Sequence, residues 1–390
     1  MLKKILVPSA AVFVIAVILT FTVLPRLIEM GFNSIHGPRN IQPSAQAVSL
    51  VKNTLIADLH CDALLWNRDL LKKNSFGHVD VPRLIEGNVA LEIFSIVSKV
   101  PLSMLKRNNV DDRWDLMTAL SVAQRRPPRT WTSLLQRALY QSEKLHDFSR
   151  LSGGKLFIIT SAADLDRYCG LREKNPHITA GMLSIEGAQV LEGDLNNVDV
   201  LCRAGFRMIS PTHFFDNDMG GSAHGVNKYG LTTKGKALIR LMERKGMIVD
   251  LAHASPLTID DVLAMAAKPV VVSHTGVRGI CDSVRNISDR HIALIARNRG
   301  VIGIAYFKDA VCGDSIPDIV RSIRYAVRKA GVEHVGLGSD YDGFVRVPFD
   351  TAGMALLADA LLKDGFSEEE IRLIMGGNAL RLLKETLPAR

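Results

Sequence analysis

Residues 55–62 read Leu55-Ile56-Ala57-Asp58-Leu59-His60-Cys61-Asp62, an apolar start that runs into an acid or a histidine at every second position. Strand side chains alternate between faces, so Asp58, His60 and Asp62 share one face and Cys61 takes the other. The same design returns along the chain. Apolar runs end in Ser184-Ile185-Glu186-Gly187, Pro211-Thr212-His213, Asp250-Leu251-Ala252-His253, Val272-Ser273-His274 and Gly338-Ser339-Asp340-Tyr341-Asp342-Gly343. Strand candidates fall at 55–59, 89–97, 155–160, 181–185, 207–211, 246–251, 269–273, 300–306 and 335–338, with amphipathic stretches such as 195–204, 233–245, 256–267, 289–298 and 315–330 between them. Strand–helix alternation predicts parallel βα units. Eight or nine units suit an α/β fold closed as a (β/α)8 TIM-type barrel, whose strand C-termini all open into one mouth. Ser367-Glu368-Glu369-Glu370 has the form of a capping box and predicts a final helix.

Outward from that pattern, the N-terminus differs in kind. Lys3 and Lys4 precede an uncharged apolar run from Ile5 to Leu24. Twenty helical residues span about 30 Å, the hydrocarbon thickness of a bilayer. The run is longer than a signal peptide's apolar region and closes in Val23-Leu24-Pro25-Arg26, a poor cleavage site. Residues 1–26 are therefore expected to be an N-terminal signal anchor, one transmembrane helix, with 27–50 as a linker and 51–390 as the barrel domain. The leading lysines place the barrel outside the cytoplasm. The net charge of +8 is concentrated in part at 101–150, densest at Arg125-Arg126-Pro127-Pro128-Arg129. No nucleic-acid motif accompanies it, so it reads as a solvated surface. Five cysteines without a C-x-x-C pair argue against a disulfide-stapled scaffold or a zinc ribbon.

Six strand ends that each deliver a histidine or a carboxylate make the nitrogen–oxygen ligand set that suits zinc. His60, Asp62, His253 and His274 as terminal ligands, with one carboxylate to bridge, would build a two-metal site able to deprotonate water and polarise the bond it attacks. The helical H-E-x-x-H motif is absent. A metallohydrolase barrel of the metal-dependent hydrolase kind is the expectation.

The motifs His60-Cys61-Asp62, Ile185-Glu186-Gly187, Thr212-His213 followed by Asn217, Asp250-Leu251-Ala252-His253, Ser273-His274, Arg285-Asn286 and Gly338-Ser339-Asp340-Tyr341-Asp342-Gly343 occur in a fixed order. In this the chain resembles the membrane dipeptidase (renal dipeptidase) family of binuclear zinc peptidases, over roughly residues 50–385. The resemblance implies two Zn2+ per chain, one on His60 and Asp62, the other on His253 and His274, with Glu186 bridging. It implies that His213 and Arg285 bind substrate, at the scissile carbonyl and the terminal carboxylate, and that Asp340 holds the amino end and handles protons. Asp340 and Glu186 are then the catalytic carboxylates, although Asp342 could serve in place of Asp340. The reaction implied is dipeptide hydrolysis, C-terminal D-residues included, by attack of a zinc-bridging hydroxide. A homodimer is also suggested. The implied setting is a bacterial inner membrane, with a single-pass anchor and the catalytic domain periplasmic or extracellular. Two alternatives stand beside it: the same fold acting on a lactone or acyl-amino acid, and a non-catalytic metal-containing binding protein. Asp58 reads as orienting a ligand, Cys61 as packing, and His224 as a substrate-side or merely exposed loop residue.

Overall fold

A computed structural model describes residues 19, 21–37, 41–105, 108–111 and 114–390. The strands, in chain order, are β1 (Ser34–Ile35), β2 (Ile56–Cys61), β3 (Val89–Val97), β4 (Leu156–Ile158), β5 (Thr179–Glu186), β6 (Phe206–Ile209), β7 (Ile248–Val249), β8 (Val271–Thr275), β9 (Val301–Ile304), β10 (Val335–Leu337) and β11 (Arg346–Val347). Eight of them form one parallel sheet in the order β7-β6-β5-β3-β2-β10-β9-β8. The two ends of that order meet: Asp250 bridges Val271 in parallel, and the Leu251 amide donates to the Val271 carbonyl at 2.7 Å. The molecule is an α/β fold whose sheet curls onto its own edge as a TIM-like barrel does. The expected strand at 155–160 exists as β4 but pairs with β5 alone and is not a stave of the barrel.

β2, β3 and β5 are buried at every position, as staves covered on both faces must be. The helices between strands start where the sequence supplies caps. Ser133, Ser161, Thr232, Ser255 and Ser288 each accept a hydrogen bond from the amide three residues on. A cap of this kind contributes about 1 kcal/mol. The expected capping box at Ser367 and Glu370 opens the helix Glu368–Arg372.

Two expectations are corrected. Residues 27–50, read as a linker, carry helix α1 (Leu24–Phe32), strand β1 paired in parallel with β11, and helix α2 (Ala45–Lys52). Glu29 and Asn33, at 3% and 1% exposure, are core residues and not tether. The basic stretch, read as a solvated surface, holds two buried arginines, Arg126 and Arg137. They spend their charge on backbone carbonyls, Arg126 on Leu65 and Arg137 on Ser98 and Thr130, and Arg137 also pairs with Asp115 at 2.8 Å. Cys281 and Cys312 form one disulfide within the chain and the other three cysteines are free, which is no disulfide-stapled scaffold. The bonded two lie 31 residues apart without a motif, and the adjacency of β8 and β9 brings them together. Most of the expected anchor, residues 1–18 and 20, lies outside the described residues. Among the described residues no helix is long and apolar enough to cross a membrane.

Candidate metal centre and active site

The strand ends singled out in the sequence converge on Glu186. This carboxylate closes β5, and its Oε1 lies 3.6 Å from His60 Nε2, 3.2 Å from His253 Nε2 and 3.3 Å from His274 Nε2. Its Oε2 is 3.3 Å from His213 Nε2. His60 Nε2 also sits 3.6 Å from Asp62 Oδ2 and 3.6 Å from Asp340 Oδ1. Three overlapping triads have ligand atoms within 4.8 Å of one another: His60–Asp62–Glu186, Glu186–His213–His253 and His60–His274–Asp340. Every one of these side chains is buried except that of Asp340, which is 13% exposed.

Neighbouring groups set the state of each ring. Ser273 Oγ donates to Asp250 Oδ2 at 2.7 Å, so at 2.9 Å it accepts from the Nδ1–H of His274. That assigns the His274 proton to Nδ1 and leaves a lone pair on Nε2, aimed at Glu186 and at His253 Nε2, 3.0 Å away. Burial lowers the basicity of His213, His253 and His274, with nearby Arg285 and the other rings working the same way, so all three are neutral near pH 7. Burial likewise pushes Glu186 and Asp62 well above the usual carboxylate range, with like charges adding to it. Three carboxylates, those of Asp62, Glu186 and Asp340, crowded in the interior without a cation would have to take up protons. A divalent cation removes that penalty.

Whether these residues fit metal is decided by their unpaired atoms. His60 Nε2, Asp62 Oδ1 and Glu186 Oε1 are buried and make no hydrogen bond. Buried polar atoms are otherwise almost always partnered. Two nitrogens held ~2.1 Å from one tetrahedral ion stand ~3.4 Å apart; the 3.0 Å between His253 and His274 is close to that. His253 holds its ring in place from a left-handed backbone conformation, φ 63°, which an L side chain adopts only under constraint.

The remaining expected residues fall around this core. Arg285, 8% exposed, donates to the His274 carbonyl and feels the charges of Asp340 and Glu186. A cavity of about 100 Å³ has His253 and Arg285 in its wall. Burial pushes Asp340 up to about 7; Asp62 adds to this, while His60 and Arg285 oppose it. Asp342 does not join the cluster. Its carboxylate takes the amides of His78 (2.7 Å) and Val79 (3.2 Å) and the Arg68 guanidinium. Asp58 is also outside, accepting from the backbone amides of Ser339 (2.9 Å) and His60 (3.3 Å). Sequence reasoning missed Ser273 and Asp250 as the pair that orients His274; the signal was their place directly beside the ligand motifs. His224 proves to be half-buried, its ring centroid 5.3 Å from that of His253.

With this geometry in hand the comparisons are direct. The sequence model of "Membrane dipeptidase (Peptidase family M19)" matches residues 44–389. The chain belongs to the M19 membrane dipeptidase family. It is a peptide-bond hydrolase of the metallo-dipeptidase class. Dipeptidase tcpJ of Claviceps purpurea is 28% identical over 323 residues, covering 80% of this chain and 70% of the relative. Dipeptidase aclJ of Aspergillus oryzae is 26% identical over 405 residues, covering 96% and 87%. Among solved structures, a metallopeptidase of Rhodobacter sphaeroides bound to a phosphinate mimic of the dipeptide L-Ala-D-Ala superposes with a TM-score of 0.70 at 24% identity. It covers 86% of this chain and 100% of that one. The M19 metallopeptidase "dipeptidase AC" gives a TM-score of 0.70 at 22% identity, covering 86% and 99%. At these identities the structural likenesses speak for the fold.

Proposed function

We propose that this M19 enzyme hydrolyses free dipeptides, including those with a C-terminal D-residue, on a pair of Zn2+ ions. The observation that carries the reading is Glu186, one of whose oxygens faces His60, His253 and His274 at 3.2–3.6 Å while the other faces His213 at 3.3 Å. A carboxylate so placed could be shared between two ions. His60 and Asp62 would hold one ion, His253 and His274 the other. When bound, such a pair supplies Lewis acidity, making water acidic and the scissile carbonyl electrophilic.

The chain's own groups do the rest. Arg285 reads the terminal carboxylate, for which a planar guanidinium offers two parallel hydrogen bonds. Asp340 holds the amino end, takes the proton of the attacking water and returns it to the leaving amine. A buried carboxylate 3.6 Å from His60 Nε2 is placed for both directions of that transfer. Neutral His213 steadies the oxygen of the tetrahedral intermediate. The ligand of the Rhodobacter relative, a mimic of L-Ala-D-Ala, supports tolerance of a D-residue at the second position.

The same reading includes a single-pass anchor at residues 1–26, with the catalytic domain periplasmic or extracellular, at a bacterial inner membrane. The apolar run from Ile5 supports it, and so does the outward stripe Leu19, Val23, Leu27 and Met30, all 38–56% exposed at helical spacing. The Cys281–Cys312 bond suits an oxidising compartment. The test is hydrolysis of a free L-Xaa-D-Xaa dipeptide by the full chain, with zinc, with chelator, and beside its N-acetylated and C-amidated forms. Cleavage of the free dipeptide alone, lost on chelation, is expected. Equal cleavage of the N-acetylated form would sink the two-ended reading and move the substrate class to acyl-amino acids.

A further inference from the structure

The family match begins at residue 44, yet the segment ahead of it is packed on the loop that carries Asp340. Helix α1 and the residues after it run along the outer side of the loop 339–347, whose first residues carry Asp340. Asn33 is the hub. Its Nδ2 donates to the Asp342 carbonyl at 3.1 Å, and its Oδ1 accepts from the Val345 amide at 3.3 Å. The Asp342 carbonyl also takes the Trp66 indole at 2.7 Å. Arg68 then ties Glu29 of α1 to the Asp342 carboxylate. Phe32 packs edge-on against Phe344 at 5.5 Å, and Phe344 lies against Trp66 at 5.0 Å. Beyond the helix, Ser34 and Ile35 pair with Arg346 and Val347, and the His36 amide donates to the Val347 carbonyl at 2.9 Å.

The loop needs such support. Asp340, Asp342 and Phe344 all have positive φ, at 62°, 65° and 62°, a conformation costing about 1 kcal/mol or more for each non-glycine residue. Gly343 between them leaves no slack: a Cβ there would come within 2.4 Å of Asp340 Oδ1 and 2.6 Å of Asp62 Oδ2. A loop strained three times in five residues, pressed against a metal ligand, keeps its shape only if its surroundings over-determine it. Residues 29–36 supply that from one side.

We propose that Glu29 and Asn33 are positioning residues for catalysis: the segment that leaves the apolar run holds the 339–347 loop so that Asp340 meets the metal centre. The inference rests on the role given to Asp340 above. Glu29 Oε1 accepts from the Arg68 guanidinium, and the carbonyl oxygen of a glutamine keeps that acceptor. Gln is therefore the conservative replacement at 29.

The experiment is steady-state kinetics on the full chain, with metal content and Tm measured alongside, for Asn33→Ala, Glu29→Ala, Glu29→Gln, Met30→Ala and Asp340→Asn. Asn33→Ala and Glu29→Ala are expected to lower kcat on the order of tenfold or more, since small displacements of a catalytic group cost that much. KM and metal content should stay near those of the parent, and Glu29→Gln should recover kcat. Met30, on the outward face of the same helix and 44% exposed, should be neutral. The proposal is overturned if Asn33→Ala and Glu29→Ala keep full kcat while Asp340→Asn is inactive. It is equally overturned if their loss of activity follows loss of metal or of folded protein. Should Asp340→Asn itself stay active, the role of Asp340 fails first, and this inference falls with it.

Discussion

Asp340 and Asp342 sit two residues apart in one loop, share a left-handed backbone conformation, and have opposite environments. Asp340 faces His60 at 3.6 Å, and burial pushes its carboxyl up to about 7. Asp342 is just as enclosed, but its oxygens are saturated by two backbone amides and Arg68. Although burial works to raise its pKa, Arg68, His78 and those amides outweigh it and hold it below the usual aspartate range. Local sequence cannot separate the two, since Asp-Tyr-Asp is symmetric. What separates them is which carboxylate the surrounding chain leaves underpaired. An underpaired buried acid is available for chemistry, whereas a saturated one holds structure.

That contrast can be broken in order of force. Replacing Glu186 by Ala removes the group shared by all four rings, and turnover should fall to background, with bound metal, read by elemental analysis, lost as well. Asp340→Asn should cost kcat roughly 10²–10⁴-fold, the usual worth of a general acid–base group, with Tm nearly unmoved. Asp342→Asn should do the reverse. It leaves Arg68 short of one carboxylate in the interior, a loss of about 3–5 kcal/mol in stability by denaturant titration, while protein that remains folded keeps its metal and loses kcat only about tenfold, no more than Glu29→Ala. Equal kinetic damage from both Asn variants would dissolve the distinction. Ser273→Ala unpins His274 and should weaken metal affinity about 10–100-fold, by competition with a chelator, without abolishing the site.

The smallest effect concerns Glu29. Its folded value is about 7 against an ordinary 4.5. A raised acid contributes stability that is fully present below about 4.5 and is lost as pH climbs through about 7. Glu29→Gln should therefore flatten the fall in Tm between those pH values by a few degrees; an unchanged pH profile would show that Arg68 keeps Glu29 ionised.

Much of this was legible in the chain because barrels report themselves through repetition. Six apolar runs ended in a ligand-type residue, and period-two alternation at Asp58-Leu59-His60-Cys61-Asp62 put His60 and Asp62 on one face without any knowledge of tertiary contacts, although Asp58 on the same face stays outside the cluster. The places where reading failed have a common physical origin. Glu29 and Asn33 looked like tether because their partners, Arg68 and Asp342, lie 39 and 309 residues away. Arg126 and Arg137 looked solvated because composition cannot show that a guanidinium will find carbonyls to satisfy it inside. Cys281 and Cys312 looked unrelated because only the order of β8 and β9 in the sheet makes them neighbours.

One feature of the sheet bears on how the enzyme comes into being. β7 is two residues long, and it reaches β8 through a single bridge at Asp250 and Val271. His253 follows the first of these strands and His274 belongs to the second, so an ion shared by both rings would lie across the seam where the hoop closes. Such an ion would be a clasp as well as a reagent: ring closure in folding and the arming of the enzyme would become one event.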